Sequence, residues 1–192
     1  MTIKTISGGW FPKLSLKPIE PSHRLAWQEA AWLLAAGVLA VSLYSLFHWP
    51  MKMPGRHGLE WMAVLIYARS LGRFRWAATV VAFGAAASTQ LPIAGIHEPW
   101  AALSYLLPGV IVDLFYQSRK DWRHYLLFLA AVSACAHATR PLLHYLETVL
   151  FGVHHGSLAT GLTYPLLTHL GFGFVGGLTG AVLAALTLRQ RR

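Results

Sequence analysis

Four ionisable residues mark where this sequence could do chemistry. His137, Arg140, His144 and Glu147 are spaced by three, four and three positions, so on an α-helix they share one side. The residues around them, between Tyr125 and Phe151, are mostly Leu, Ala, Val and Phe, the composition of a membrane span. An ionisable residue inside a span costs roughly 2.5–3.5 kcal/mol on insertion scales. A line of them on one face predicts a polar cavity. A structural alternative stands beside it, in which Arg140 and Glu147 pair with other residues and hold a bundle together. A guanidinium in an apolar site wants a two-point acceptor, which favours an anionic or carbonyl-bearing ligand. The histidines favour a metal chelate, a corrinoid or a haem-like ring instead. His137 and His144 lie two turns apart and could supply two metal or haem ligands. No H-E-x-x-H motif or carboxylate triad supports a catalytic metal.

The elements that must hold these residues follow from composition. Of 192 residues 55% are hydrophobic and only 12% charged, and the mean hydropathy is +0.47. That is too apolar for a soluble domain of this size and predicts a polytopic, all-α membrane protein. Apolar helices are expected over about 26–49, 58–70, 76–90, 100–117, 125–151 and 158–188. Pro108-Gly109 marks a kink in the fourth of these. The glycines from Gly171 to Gly180 allow close packing of the last. Residues 1–24 carry no apolar stretch ahead of a cleavage site, so no removable signal is expected. They read as a cytoplasmic lead-in, with residues 25–192 as the transmembrane domain. Cys135 is alone in mid-span, so no intrachain disulfide can form, and it is expected to be a small core residue.

A net charge of +9 would fit nucleic-acid binding were the Lys and Arg, Arg140 within the fifth helix excepted, not placed in the loops and termini. With six spans, both termini and the second and fourth loops share one side, which holds thirteen Lys and Arg. The other side holds Lys52 and Arg56 alone. By the positive-inside rule both termini are cytoplasmic, and the chain is multi-pass in the cytoplasmic (inner) membrane. No nucleic-acid partner is expected.

This orientation sorts the polar residues by depth. His137, Arg140, His144 and Glu147 open outwards, on the same side as Glu60 and Trp61. His97 and Trp100 flank the third loop there, and Tyr164 and His169 come from the last helix. An outward-facing pocket for a small molecule follows, with apolar and aromatic walls. The inner half is nearly free of polar groups apart from Asp113, which is expected to meet a basic loop residue or make a packing contact. Each site residue also has an ordinary role. Trp61 and Trp100 are interfacial anchors on that reading, and Glu60 is the counter-ion of Arg140. His57, His97, His154 and His155 are then solvated loop histidines.

The layout resembles the substrate-binding membrane subunits, or S-components, of energy-coupling factor (ECF) vitamin transporters. Ala31-x-x-x-Ala35 and Ala36-x-x-x-Ala40 are similar to the pattern with which their first helix meets a transmembrane coupling subunit. Leu107-Pro-Gly-Val-Ile-Val-Asp113 looks like their Pro-Gly…Asp stretch. His169-Leu-Gly-Phe-Gly-Phe-Val-Gly-Gly-Leu-Thr-Gly180 is similar to their glycine-rich last helix. The resemblance covers residues 26–188. It implies capture of a vitamin-type molecule or metal from outside, with the first, third and fifth loops closing over it. The subunit then topples in the bilayer when partner ATPases act through the coupling subunit. It implies no resident cofactor and no enzymatic turnover, and no P-loop motif occurs in the chain. A haem-binding electron-transfer subunit using His137, His144 and His169 is the main alternative, alongside metal or tetrapyrrole uptake. An intramembrane enzyme using Glu60 and Glu147 as acid and base is a third, without an evident nucleophile.

Overall fold

A computed structural model of the chain describes residues 23–46, 53–90, 100–119, 121–122 and 124–191. Residues 1–22 of the expected lead-in and the 91–99 loop with His97 lie outside the described residues. The described chain folds into α1 (His23–Leu46), α2 (Gly58–Leu71), α3 (Ala77–Thr89), α4 (Ala101–Ser118), α5 (Leu126–His137), α6 (Thr139–Phe151) and α7 (Thr163–Gln190). A short 3-10 turn, Gly156–Leu158, precedes α7. Among the described residues three stretches are long and apolar enough to cross a membrane: Ala26–Leu43, Leu126–Phe151 and Thr163–Gln190. Ala77–Thr89 is a shorter apolar helix. Helix α2 has 14 residues, a rise of about 21 Å against a hydrocarbon core of about 30 Å.

The outer faces of the long helices are apolar. Trp27, Leu150, Phe151, Leu167, Val175 and Leu186 are all exposed. An apolar surface this extensive is a liability in water and is compatible with a bilayer.

The stretch expected as one helix over 125–151 is two. The helix is interrupted at Ala138, and the reason is Pro141. Proline has no N–H, so the carbonyl of residue 137 loses its helical donor, and the pyrrolidine ring crowds that same turn. The last helix likewise starts later than residue 158, because Gly161 turns the chain with φ of 85°, a left-handed backbone that favours glycine.

The helices pack through backbone rather than through large side chains. Gly37 of α1 lies on the backbone of Val81 in α3, and Gly84 of α3 lies on the backbone of Leu34 in α1. A Cβ at Gly84 would fall 3.0 Å from the Leu34 Cα. Glycine at both crossing points therefore sets the α1–α3 separation. On the other side of the bundle, α7 packs against α2 and α5. Ser133 of α5 is fully buried and donates its hydroxyl to the Gly173 carbonyl of α7 at 2.7 Å. Between apolar helices such a bond contributes about 0.6 kcal/mol on average. Ser133→Ala is expected to lower stability by about 0.5–1 kcal/mol, read as a small fall in the thermal midpoint in detergent.

The two small-residue pairs of α1 face different ways. Ala40 is buried and Ala36 packs against the core, whereas Ala31 and Ala35 are exposed. Cys135 is exposed rather than a core residue. Its neighbours Ala134 and Ala136 take the inward arc of α5, and at 100° per residue Cys135 points out.

The end of the bundle where α2 finishes is richer in polar groups than expected. Asp113 of α4 is fully buried and meets Arg69, Oδ1 to Nε 2.6 Å. Arg69 belongs to the last turn of α2 rather than to a loop, and its guanidinium lies 3.9 Å from the Tyr116 ring centre. Glu29 of α1 accepts the backbone N–H groups of Arg73 and Phe74. Arg75 donates to the Gln117 side chain. These groups satisfy one another. The sequence conceals this because Glu29 and Arg69 lie far from Asp113 along the chain.

Candidate functional site

The opposite end of the bundle holds the candidate site. Two short segments and two helices converge there. The segment from Met53 to His57 crosses over the helix ends, turned by Gly55 with φ of 81°. The Gly55 carbonyl accepts the Gly58 N–H at 2.9 Å, and that bond starts α2. Helix α6 presents Arg140 and His144. Helix α7 presents His169, and the 155–157 turn brings His155 and Ser157. Together with Arg56 and His57 they line a cavity of about 250 Å³.

Two of the lining imidazoles, His57 and His169, cluster with a third, His137, which is fully buried. The His57 and His137 ring centres are 4.8 Å apart, His137 and His169 are 4.8 Å apart, and His57 and His169 are 6.1 Å apart. Their hydrogen bonds fix much of the protonation pattern. A carbonyl only accepts, so His137 Nε2 donates to Gly55 O at 3.1 Å, and His169 Nδ1 donates to Pro165 O at 2.7 Å. A guanidinium only donates, so His57 Nε2 accepts from Arg140 Nη1 at 2.9 Å. His57 is therefore neutral, with its proton on Nδ1. Desolvation by the surrounding groups, and then the positive charge of Arg140, hold its pKa well below the usual imidazole value.

Folding and the protonation of His57 are linked through this shift. The folded value lies below the unfolded value of about 6.5, so the contribution to stability is present above about pH 6.5. It is lost as the pH falls towards the folded value, because the unfolded chain takes up the proton first. Thermal midpoints measured in detergent are expected to fall between pH 7.5 and pH 5. His57→Gln, which keeps an acceptor for Arg140, should flatten that slope. An equal slope in wild type and variant would exclude His57 as a source.

A second group adjoins this cluster. His144 and His155 stack with ring centres 4.0 Å apart and planes 5° from parallel. His155 Nε2 meets Glu147 Oε2 at 2.7 Å, and His144 Nδ1 lies 3.4 Å from Ser157 Oγ. His144 and Glu147 are both buried.

The structure thus brings His137, Arg140, His144, Glu147 and His169 to one end of the bundle. The remaining expected residues lie elsewhere. Trp61 is buried behind the site, edge-on to Tyr105 at 5.2 Å between ring centres. Glu60 is not paired with Arg140; the charge it feels is that of Arg56, and its Oε2 is buried without a hydrogen bond. Trp100 is exposed and stacked on Phe151, and Tyr164 is exposed. The described walls are therefore imidazole and guanidinium rather than aromatic. Two histidines read as solvated loop residues, His57 and His155, belong to the site, whereas His154 is exposed. For His57 a signal was present, since Gly55 and Gly58 flank it closely in sequence. No comparable signal marked His155.

Set against protein-family models, curated proteins and solved structures, the chain matches none.

Proposed function

We propose that this protein is a membrane-embedded capture subunit for a small anionic nutrient, of the ECF S-component kind. The observation that carries the reading is the cavity itself: two arginines, Arg56 and Arg140, on a small polar chamber at one end of an apolar bundle. The neutral His57 orients Arg140 without cancelling its charge. An anion with a carboxylate or phosphate group completes such a site. The volume, about 250 Å³, is below the roughly 300–1,000 Å³ of drug-sized ligand pockets. That speaks for a compact acid over a haem-sized or corrin-sized ring.

On this reading the chain crosses the cytoplasmic membrane six times with both termini inside, and the cavity opens outwards. The polar groups at the other end are mutually satisfied, so the ligand has no wet path onward through the resting subunit. Movement of the whole subunit, driven by partner ATPases through a coupling subunit, supplies the release step. The exposed Ala31 and Ala35, beside exposed Val38 and Leu39 on α1, offer the flat face against which a partner helix packs. The protein binds its ligand and does not transform it.

The test is mass spectrometry of the compound that co-purifies with the full chain in mild detergent, paired with thiol labelling of Arg140→Cys in a Cys135→Ser background. A small acid bound one to one to the wild type, with position 140 labelled from outside, supports the reading. A label that reaches position 140 only from the cytosol ends it.

A further inference from the structure

The structure assigns a second ligand to the wall of the cavity: we propose that His144, Glu147 and His155 bind a divalent transition-metal ion that ties the 152–157 segment to α6. One ligand atom from each of these three residues lies within 4.8 Å of the others. Two imidazoles and one carboxylate are a donor set that first-row divalent ions accept, with at least one coordination position left open.

The local fold builds the site. His144 and Glu147 are three residues apart on α6 and share a face. The chain then reverses at Gly152, which has φ of 68°. Thr148 braces the reversal, because its hydroxyl lies 2.8 Å from the Val153 carbonyl and its own carbonyl accepts the Gly152 N–H at 3.1 Å. That carries His155 back over the helix and onto the His144 ring. Ser157 Oγ beside His144 Nδ1 is the kind of outer contact that orients a metal-binding imidazole.

A simple ion pair leaves part of this arrangement unexplained. The contact between His155 and Glu147 accounts for Oε2 alone. Oε1 of Glu147 has no hydrogen-bond partner, although the side chain is only 7% exposed. A buried acceptor left this way costs about 1–3 kcal/mol, more for a charged group. A cation at this place would use the carboxylate and both rings together. Two ligand atoms each about 2.0–2.1 Å from a tetrahedral ion sit about 3.3 Å apart, so the 2.7 Å contact must widen slightly and a separation at the 4.8 Å limit must close by about 1.5 Å. His155 is on a turn and can supply that movement. The cluster of His57, His137 and His169 forms no such set: His57 Nε2 is taken by Arg140 and its Nδ1 carries the proton, which leaves two ligand nitrogens at most, from His137 and His169.

The proposal does not depend on the identity of the anion, or on there being one. The full chain in detergent, stripped with a chelator, is titrated with Zn²⁺ against a chromophoric competitor, and with Co²⁺ read by its visible absorbance. One equivalent of Zn²⁺ per chain is expected. Glu147→Gln and His155→Ala should each weaken it at least tenfold, and His169→Ala should leave it within about twofold. His155 lies on a turn, so its variant tests binding without challenging the bundle. Arg140→Ala should lose the co-purifying acid and keep the Zn²⁺, which separates failure of one reading from failure of the other. Absence of stoichiometric Zn²⁺, binding unchanged in both ligand variants, or binding lost in His169→Ala and kept in His155→Ala would each overturn the site.

Discussion

Asp113→Ala is expected to destabilise the bundle by about 3–5 kcal/mol, the range for removing one partner of a buried ion pair. For a chain of this length that is a fall of roughly 10 °C in the thermal midpoint. The size of the effect follows from how many groups one carboxylate serves. It faces Arg69 of α2 at 2.6 Å. It also accepts the Thr79 N–H at 2.7 Å, the Thr79 hydroxyl at 2.8 Å and the Ala78 N–H at 3.3 Å. Those N–H groups belong to the first turn of α3, whose own N-cap residue, Trp76, makes no side-chain bond. Asp113 thus caps α3 from a different helix, and its charge suits the positive end of that helix dipole.

The variant would leave the Arg69 guanidinium, whose side chain is only 6% exposed, without its carboxylate. Most of the loss comes from that uncompensated charge rather than from the missing attraction. The double variant Asp113→Ala with Arg69→Met should therefore be more stable than Asp113→Ala alone. A double variant no better than the single one would mean that the cap on α3, not the ion pair, dominates. Arg69 lies twelve residues beyond His57 in sequence, roughly 18 Å along a helix. Ligand affinity in the folded fraction should hardly change.

The two ends of the molecule differ in how far sequence reveals them, and the difference is one of range. His137, Arg140, His144 and Glu147 are legible as a set because a 3.6-residue period puts them together whatever the tertiary fold does. The break at Ala138 has its signal in Pro141, which the apolar run on both sides hides. His155 was not legible, because its place depends on a left-handed turn at Gly152 and a reversal of the chain. The partner of Asp113 was legible only as a basic residue, since Arg69 stands at the very end of the expected helix with Arg73 and Arg75 just beyond it. Helix rotation is the other hidden variable. Trp100 and Tyr164 stand at helix starts, yet a quarter turn separates facing the cavity from facing outwards, and nothing in composition decides it. The glycines of α1 and α3 announce close packing, but not that Gly37 and Gly84 cross each other's helix.

On the capture-subunit reading, Arg140→Ala is expected to abolish retention of a co-purifying acid while leaving the fold intact. Truncating one partner of a buried, hydrogen-bonded charge pair costs about 2–5 kcal/mol, so affinity for the identified compound should fall by a factor of roughly 30 to several thousand. The side chain is well placed for this. It lines the cavity, its Nη1 is held by His57 Nε2 at 2.9 Å, and its guanidinium lies 5.9 Å from the Tyr105 ring centre. Those contacts preset the orientation of the planar group before the ligand arrives, which limits the ordering entropy that binding must offset. Arg140→Lys should recover little, because a lysine ammonium cannot make the two-point contact or keep the same geometry to His57. The thermal midpoint of Arg140→Ala should stay within a few degrees of wild type, since the site is a cavity that water can fill. If the variant retained the acid at wild-type stoichiometry, Arg56 would be the anion's partner and Arg140 a structural group. If it failed to fold, the bond to His57 would be holding the 53–57 segment onto the bundle, and the cavity would be a consequence of that anchoring rather than its purpose.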